Sequence, residues 1–93
     1  MTKLDTVKRI ARTKGIKGNI SRSTKRGKKF MIVLPDGYVV HFGSSSNQDY
    51  LDHKDKERRI RFLARAKGIL DKNGKKAYLN KYSGLFYAVR LLW

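Results

Sequence analysis

The chain has 93 residues, and its 23 lysines and arginines outnumber seven acids, which gives a formal net charge of +16. This length accommodates one small domain, and a content of 40% hydrophobic residues is too apolar for a disordered basic tail. Because there is no cysteine, disulfides, cysteine-ligated zinc and a cysteine nucleophile are excluded. Apolar runs are short, so we expect neither a secretory signal nor a transmembrane segment.

The charge is divided into three blocks. Residues 1–29 hold eleven basic residues and one acid, for a local net charge of +10, and residues 54–93 carry a net charge of +9. Residues 30–53 contain three acids and no lysine or arginine, for a net charge of −3. We therefore predict a central core flanked by two surfaces that attract polyanions.

The N-terminal block begins with the pattern of a short helix. Thr2 and Asp5 have the spacing of a capping box, apolar residues then recur on one helical face, and Gly15 is suited to end the helix. Over residues 16–29 the periodicity is lost, and we interpret this segment as a basic arm or loop that lies along a nucleic-acid backbone or enters a minor groove. The alternative is a flexible solubilising tail. The predicted contact residues of the arm are Arg22, Lys25, Arg26, Lys28 and Lys29.

Residues 30–43 carry the pattern of a β-hairpin. Two runs of β-forming residues flank Pro35-Asp36-Gly37, which has the composition of a three-residue loop with a turn and a left-handed glycine. Both runs are apolar on both faces, so we expect helices to cover the hairpin on each side.

Two helices are predicted after the hairpin. Asp52 is placed as the N-cap of a central helix over about residues 53–67, which Gly68 ends. Ser83 is placed as the cap of a C-terminal helix over about residues 84–93. This last segment is apolar nearly all round, so we expect it to be buried.

Together these elements predict an α+β fold, in which the central amphipathic helix and the C-terminal helix pack on the hairpin. We expect a compact domain over residues 30–93, preceded by the basic helix and arm of residues 1–29. On a helical wheel, Ile60, Leu63 and Ala64 form the core face of the central helix, and Phe62 and Ala66 extend it to one side.

The opposite face of the central helix carries a stripe of cations with no acid among them. At 100° per residue these cations fall within roughly 60°, and the stripe is about 16 Å long, enough to reach several phosphates of one strand. The alternative is a solvated face with intrahelical ion pairs. Acid-first pairs at the favourable spacing are Asp55–Arg59 and Glu57–Arg61. The stripe consists of Lys54, Arg58, Arg61 and Arg65.

Most aromatic residues stand in apolar runs and are predicted to fill the core. Tyr78 and Tyr82 lie among lysines instead, so they are the candidates for stacking on unpaired bases. Such stacking tolerates any sequence, because every base has a π-face.

His41, His53 and Glu57 offer a catalytic alternative. His53 and Glu57 have a spacing that chelates one metal on a helix, and a hairpin followed by a helix resembles the ββα-metal nucleases. Those nucleases place the general-base histidine before the second strand, whereas His41 lies inside it. No phosphate-binding loop is present either. We therefore assign no catalytic residue, no metal ligand and no cofactor.

Eight short motifs resemble a family of small basic proteins encoded by large nucleocytoplasmic DNA viruses, the giant and algal viruses. The resemblance covers roughly residues 21–93. It implies a virion or genome-associated protein of unassigned activity, located in the virion or the infected host cell. The motifs are Ser21–Thr24 (SRST), Lys28–Met31 (KKFM), Pro35–Gly37 (PDG), His41–Gly43 (HFG), Asp49–Tyr50 (DY), His53–Arg59 (HKDKERR), Phe62–Arg65 (FLAR) and Leu91–Trp93 (LLW).

The sequence therefore predicts a nucleic-acid-binding protein without sequence preference, which contacts the phosphates of DNA in preference to RNA. An alternative is a virion structural protein whose cationic face binds acidic protein partners. A metal-dependent nuclease is the least supported class. We expect no membrane partner and no small-molecule substrate.

Overall fold

The computed structural model describes Thr2–Trp93 and is centred on an antiparallel sheet of three strands in the order β1–β2–β3. One helix precedes the sheet and three follow it, which confirms the predicted α+β class. In chain order the elements are α1 Lys3–Thr13, β1 Asn19–Arg22, β2 Lys28–Val33, β3 Val39–Ser44, α2 Tyr50–His53, α3 Lys56–Gly68, a 3-10 turn at Ala77–Leu79, and α4 Gly84–Tyr87, which continues as a π-helical turn at Ala88–Leu92.

Helix α1 begins with the predicted capping box. The Asp5 amide donates to the Thr2 hydroxyl over 3.2 Å, and the Thr2 amide donates to the Asp5 carboxylate over 3.1 Å. Gly15 follows the helix with a φ of +70°, a left-handed conformation that glycine adopts at low cost. Val7 and Ala11 are buried, so the prediction of this helix and of its apolar face is confirmed.

The predicted hairpin is formed by β2 and β3. The Leu34 amide donates to the Tyr38 carbonyl over 2.8 Å, which leaves residues 35–37 as a three-residue loop. Gly37 has a φ of +89°, and the Asp36 carboxylate accepts a hydrogen bond from the Tyr38 amide. The loop therefore uses its aspartate and glycine as predicted.

Part of the predicted arm belongs to the sheet. Strand β1 pairs antiparallel with β2, with Ile20 opposite Ile32, and both side chains are buried. The prediction of a basic arm or loop over residues 16–29 is therefore wrong for residues 19–22 and 28–29, which lie in strands, and the domain boundary predicted at residue 29 falls inside β2. Strand β1 has four residues and a single isoleucine, so its alternation of apolar and polar residues is too short to be recognised. The strand is stabilised by its pairing with β2, which a local pattern does not show.

The core lies on one face of the sheet, whereas cover on both faces was the expectation. Residues alternate along β2 and β3, so Met31 and His41 are only half-buried and Val39 is exposed. Cover comes from α1 and the C-terminal helical segment, and within residues 2–93 no α3 side chain joins the core cluster. The core residues are Val7, Ala11, Ile20, Phe30, Ile32, Leu34, Val40, Phe42, Tyr87, Ala88, Leu91 and Leu92.

The predicted central helix is interrupted near its start. Lys54 adopts a left-handed conformation with a φ of +53° and ends α2. Asp55 then caps α3, because its carboxylate accepts hydrogen bonds from the amides of Glu57 and Arg58. The placement of Asp52 as the N-cap is therefore wrong. A lysine in this conformation carries no local sequence signal, which explains why one continuous helix was expected.

The core face predicted for α3 is wrong at Ile60 and Ala64, whereas the burial of Ala66 and the partial burial of Phe62 agree with its predicted extension. Ile60 is 66% exposed and Ala64 is exposed, whereas Ala66 is buried and Phe62 and Leu63 are half-buried. The helix packs against α2 and the 3-10 turn rather than across the sheet. The face of α3 that packs on the fold is therefore centred on Phe62 and Ala66, not on Ile60 as the hydropathy pattern indicates.

The C-terminal helical segment is buried, as predicted. The Ser83 hydroxyl accepts a hydrogen bond from the Leu85 amide and caps α4. The Arg90 guanidinium donates to the carbonyls of Tyr78 and Phe86, so the single charge of the segment is satisfied internally. Neither this segment nor any other helix within residues 2–93 is both long and apolar enough to cross a membrane.

Helix α4 approaches the backbone of β3 so closely that only glycine fits at residue 84. A Cβ atom on Gly84 would overlap the carbonyl oxygen of His41, which strand pairing holds in place. We expect Gly84→Ala to destabilise the fold by about 2 kcal/mol. Gly68→Ala is the matched control, since its Cβ would meet nothing within 4 Å and alanine favours a helix. Urea unfolding measures both, and equal midpoints would contradict the close approach.

Candidate functional site

A cavity of about 820 Å³ opens between the sheet, α3 and the C-terminal helical segment. Two groups of basic residues that are far apart in the sequence line it, one from the β1–β2 turn with the start of β2 and the other from α3. The structure thus brings together six of the nine predicted contact residues, and we call this site the cationic cavity. The six residues are Lys25, Lys28, Lys29, Arg58, Arg61 and Arg65.

The first rim of the cationic cavity is an ordered turn. The Lys28 amide donates to the Lys25 carbonyl over 3.2 Å, and the Ser23 hydroxyl accepts from the Lys25 amide over 3.0 Å. The Ser45 amide donates to the Gly27 carbonyl over 3.0 Å and joins the turn to the end of β3. These bonds contradict the alternative of a flexible tail. The lysine side chains of the turn nevertheless remain exposed.

The second rim is the face of α3 that carries Arg58, Arg61 and Arg65. Their spacing of three and four residues keeps them on one side of the helix. Arg61 forms the predicted ion pair with Glu57, but the nitrogen–oxygen distance is 3.8 Å and the two side chains are 64% and 85% exposed. An ion pair of this kind contributes little, so Arg61 is available to an external anion.

The other ion pair considered for α3 is not formed. Asp55 caps the helix, and Arg59 instead donates from Nε to the Trp93 carbonyl over 2.7 Å. Within the described part of the chain, Arg58 and Arg65 have no acidic partner. Of the three arginines that line the cavity, only Arg61 therefore takes part in an intrahelical pair within the described residues.

One acid lines the cationic cavity, and it is neutralised internally. Asp49 is 3% exposed and accepts hydrogen bonds from Lys3 and Lys29, over 2.7 Å and 2.8 Å. Asp52 binds the same two lysines, over 2.9 Å and 3.5 Å. We call these four residues the Asp49–Asp52 cluster. Because Lys29 is bound within this cluster, it is less available to an external anion than the other five cations.

Asp52 and Lys3 keep their charges over a wide pH range. Burial opposes ionisation of Asp52, but hydrogen bonds from Lys3 and from the Asp49 amide outweigh it and lower the pKa of Asp52 to about 2. The pKa of Lys3 is raised, because its bonds to the two carboxylates outweigh its own desolvation. Since the pKa of Asp52 is depressed in the folded state, its contribution to stability is present above about pH 4 and is lost as the pH falls toward 2.

Three of the predicted contact residues do not line the cavity. Lys54 ends α2 rather than extending the α3 stripe, so the stripe of four cations is reduced to three. Arg22 is the last residue of β1, and Arg26 lies in the β1–β2 turn. Both arginines are exposed at the periphery of the first rim.

An aromatic pair forms an apolar part of the cavity wall. Phe62 and Trp93 stack with a centroid separation of 4.0 Å and an interplanar angle of 9°, and both rings are half-buried. The predicted stacking candidates, Tyr78 and Tyr82, lie elsewhere, and the Tyr82 hydroxyl donates to Asp36. No local pattern predicts this pair, because its members are 31 residues apart in the chain. The available signal is the wheel position of Phe62, between the arginine stripe and the packed face of α3.

The model of a family of unknown function (DUF5754) matches residues 18–66, which is more than half of the chain. The chain belongs to this family. No curated protein and no solved structure matches it. The matched residues extend from just before β1 into α3 and include all six cations of the cavity. Trp93, which completes the aromatic wall, lies outside the DUF5754 match.

Each of the two histidines of this DUF5754 protein makes one hydrogen bond through Nδ1. His41 Nδ1 shares a hydrogen bond of 2.7 Å with the Ser23 hydroxyl, and His53 Nδ1 accepts from the backbone amide two residues later. Because α2 ends at His53, this residue and Glu57 do not share a helix, contrary to the basis of the chelation hypothesis. Within residues 2–93, no three histidine, aspartate or glutamate side chains are grouped to hold a metal ion.

Proposed function

We propose that this DUF5754 protein binds nucleic acid at the cationic cavity, through phosphate contacts and without sequence preference. The observation that carries the proposal is the convergence of Lys25 and Lys28 with the three arginines of α3 on one concave surface. Two rims that come from different elements of the fold and present positive charge to one cavity are typical of a site for a polyanion.

The electrostatics of the cavity support this proposal. The single acid in its lining, Asp49, is offset by Lys3 and Lys29, so the five remaining cations determine the field. Arginine binds phosphate oxygens in a bidentate manner, and lysine contributes a mobile point charge. Contacts of this kind position a backbone without reading its bases, so the affinity should not depend on sequence.

The choice of DNA over RNA rests on the resemblance to proteins of large DNA viruses. In that setting the proposed role is association with the genome, in the virion or in the infected cell. The cavity itself contains no feature that selects between the two sugars.

A salt titration tests the proposed function. If the five cations neutralise phosphates, the logarithm of the binding constant should fall with the logarithm of salt concentration with a slope of about −4. The measurement is fluorescence anisotropy with two labelled DNAs of unrelated sequence, and we expect equal slopes for both. A slope near zero would contradict phosphate contacts.

A competition experiment separates nucleic acid from acidic protein surfaces as the partner. Polyglutamate carries carboxylates without the phosphate geometry that a bidentate guanidinium matches. We compare the two competitors at equal concentrations of negative charge, phosphates for DNA and carboxylates for polyglutamate. We expect unlabelled DNA to displace the labelled DNA at a far lower concentration than polyglutamate does. Equal displacement by the two polymers would favour an acidic protein partner.

A further inference from the structure

We propose that the cationic cavity takes a single strand of nucleic acid in preference to a duplex. This inference rests on the proposed function and specifies the form of its ligand. It combines the shape of the site with the chemistry of its wall.

The shape of the site is the first observation. A duplex is stiff, and its bases are read by a helix or a β-ribbon of the protein that enters its groove. Here the cations line a concavity of about 820 Å³ between the β1–β2 turn and α3. The ligand must therefore enter the protein, which a flexible single strand does more readily than a stiff double helix.

The aromatic wall is the second observation. Phe62 and Trp93 share the cavity lining with the basic residues. Phosphate contacts alone need no apolar surface, and a duplex keeps its bases stacked inside. A positive groove that follows the backbone, combined with aromatic rings beside it, is the arrangement with which single strands are bound. The bases of a strand held by the α3 arginines would contact this wall.

The length of the α3 rim sets the scale of the ligand. From Arg58 to Arg65 the helix rises about 10 Å. Consecutive phosphates of an extended single strand lie farther apart than the roughly 3.4 Å axial rise of a duplex strand, so this rim reaches at most about three of them. The five available cations therefore suit a short stretch of a single backbone.

Trp93 is the only tryptophan of the chain and provides an intrinsic probe of the wall. With the full-length protein, we expect a thymidine 20-mer to quench Trp93 fluorescence and to bind at least tenfold more tightly than a 20-base-pair duplex at equal salt. Equal or tighter binding of the duplex, without any change in Trp93 emission, would overturn the single-strand inference and leave the proposed function intact. Failure of both DNAs to bind would overturn both proposals.

Phe62→Leu tests the wall without removing a charge. We expect this variant to bind the thymidine 20-mer five- to tenfold more weakly, with an unchanged salt slope, because base stacking releases no counterions. Tyr38→Leu is the matched control, since Tyr38 is 53% exposed and lies outside the cavity lining. Circular dichroism verifies that both variants fold. Equal affinities for Phe62→Leu and the unmodified protein would overturn the role of the wall.

Discussion

Replacing Arg58, Arg61 and Arg65 together by glutamine is expected to weaken DNA binding about a hundredfold at 0.1 M salt, since three phosphate contacts and their released counterions are lost. The slope of the salt dependence should become shallower by about 2, for the same reason. Fold stability should change little, because none of the three side chains is buried and only Arg61 takes part in an ion pair, which is weak. Fluorescence anisotropy over a range of salt concentrations measures both effects.

The matched control removes three cations from other surfaces. Arg9, Arg12 and Lys72 are exposed and do not line the cavity. Their joint replacement by glutamine lowers the net charge equally, so it should reduce affinity only by the long-range effect of net charge. If the two triple variants bind equally weakly, bulk charge accounts for binding and the cationic cavity has no special role.

Asp49→Asn is expected to lower the free energy of unfolding by about 3 kcal/mol, the scale measured when one partner of a buried ion pair is removed. Asp49 is 3% exposed and holds both Lys3 of α1 and Lys29 of β2. Because asparagine can still cap α2, the change in the free energy of unfolding reports the loss of the negative charge alone. For a domain whose total stability is about 5–14 kcal/mol, this is a large fraction. Urea unfolding, followed by circular dichroism, measures the change.

Asp55→Asn is the control for Asp49→Asn. Asp55 also caps a helix, but it is exposed and binds no lysine in the described residues. Because asparagine caps as well as aspartate, this variant should change stability by only a few tenths of a kcal/mol. If both variants shifted the unfolding midpoint equally, the Asp49–Asp52 cluster would not be the link between α1 and the sheet.

Local signals in the sequence predicted those parts of the fold that are determined locally. The capping box at Thr2, the loop at residues 35–37 and the Ser83 cap each combine a residue type with a fixed spacing, and the structure contains all three. Strand β1 and the break at Lys54 depend on contacts from elsewhere in the chain. Periodicity within a short window cannot reveal such contacts.

The candidate site was predictable in its charge but not in its shape. The basic blocks at the two ends of the chain and the arginine face of α3 follow from composition and helical spacing. Their convergence depends on the ordered β1–β2 turn and on the position of α3 beside the C-terminal segment, which no local pattern encodes. The internal binding of Lys29 was likewise invisible, because its partners Asp49 and Asp52 lie beyond an entire hairpin.

The five available cations of the cavity repel one another whenever no anion lies between them. Because the folded protein holds these exposed charges near one another, their repulsion lowers its stability by a small amount. Added salt should then act in opposite directions on two properties, since it screens the repulsion and stabilises the free fold while it weakens the complex. A strand bound as proposed would relieve the same repulsion and would stabilise the fold further by mass action.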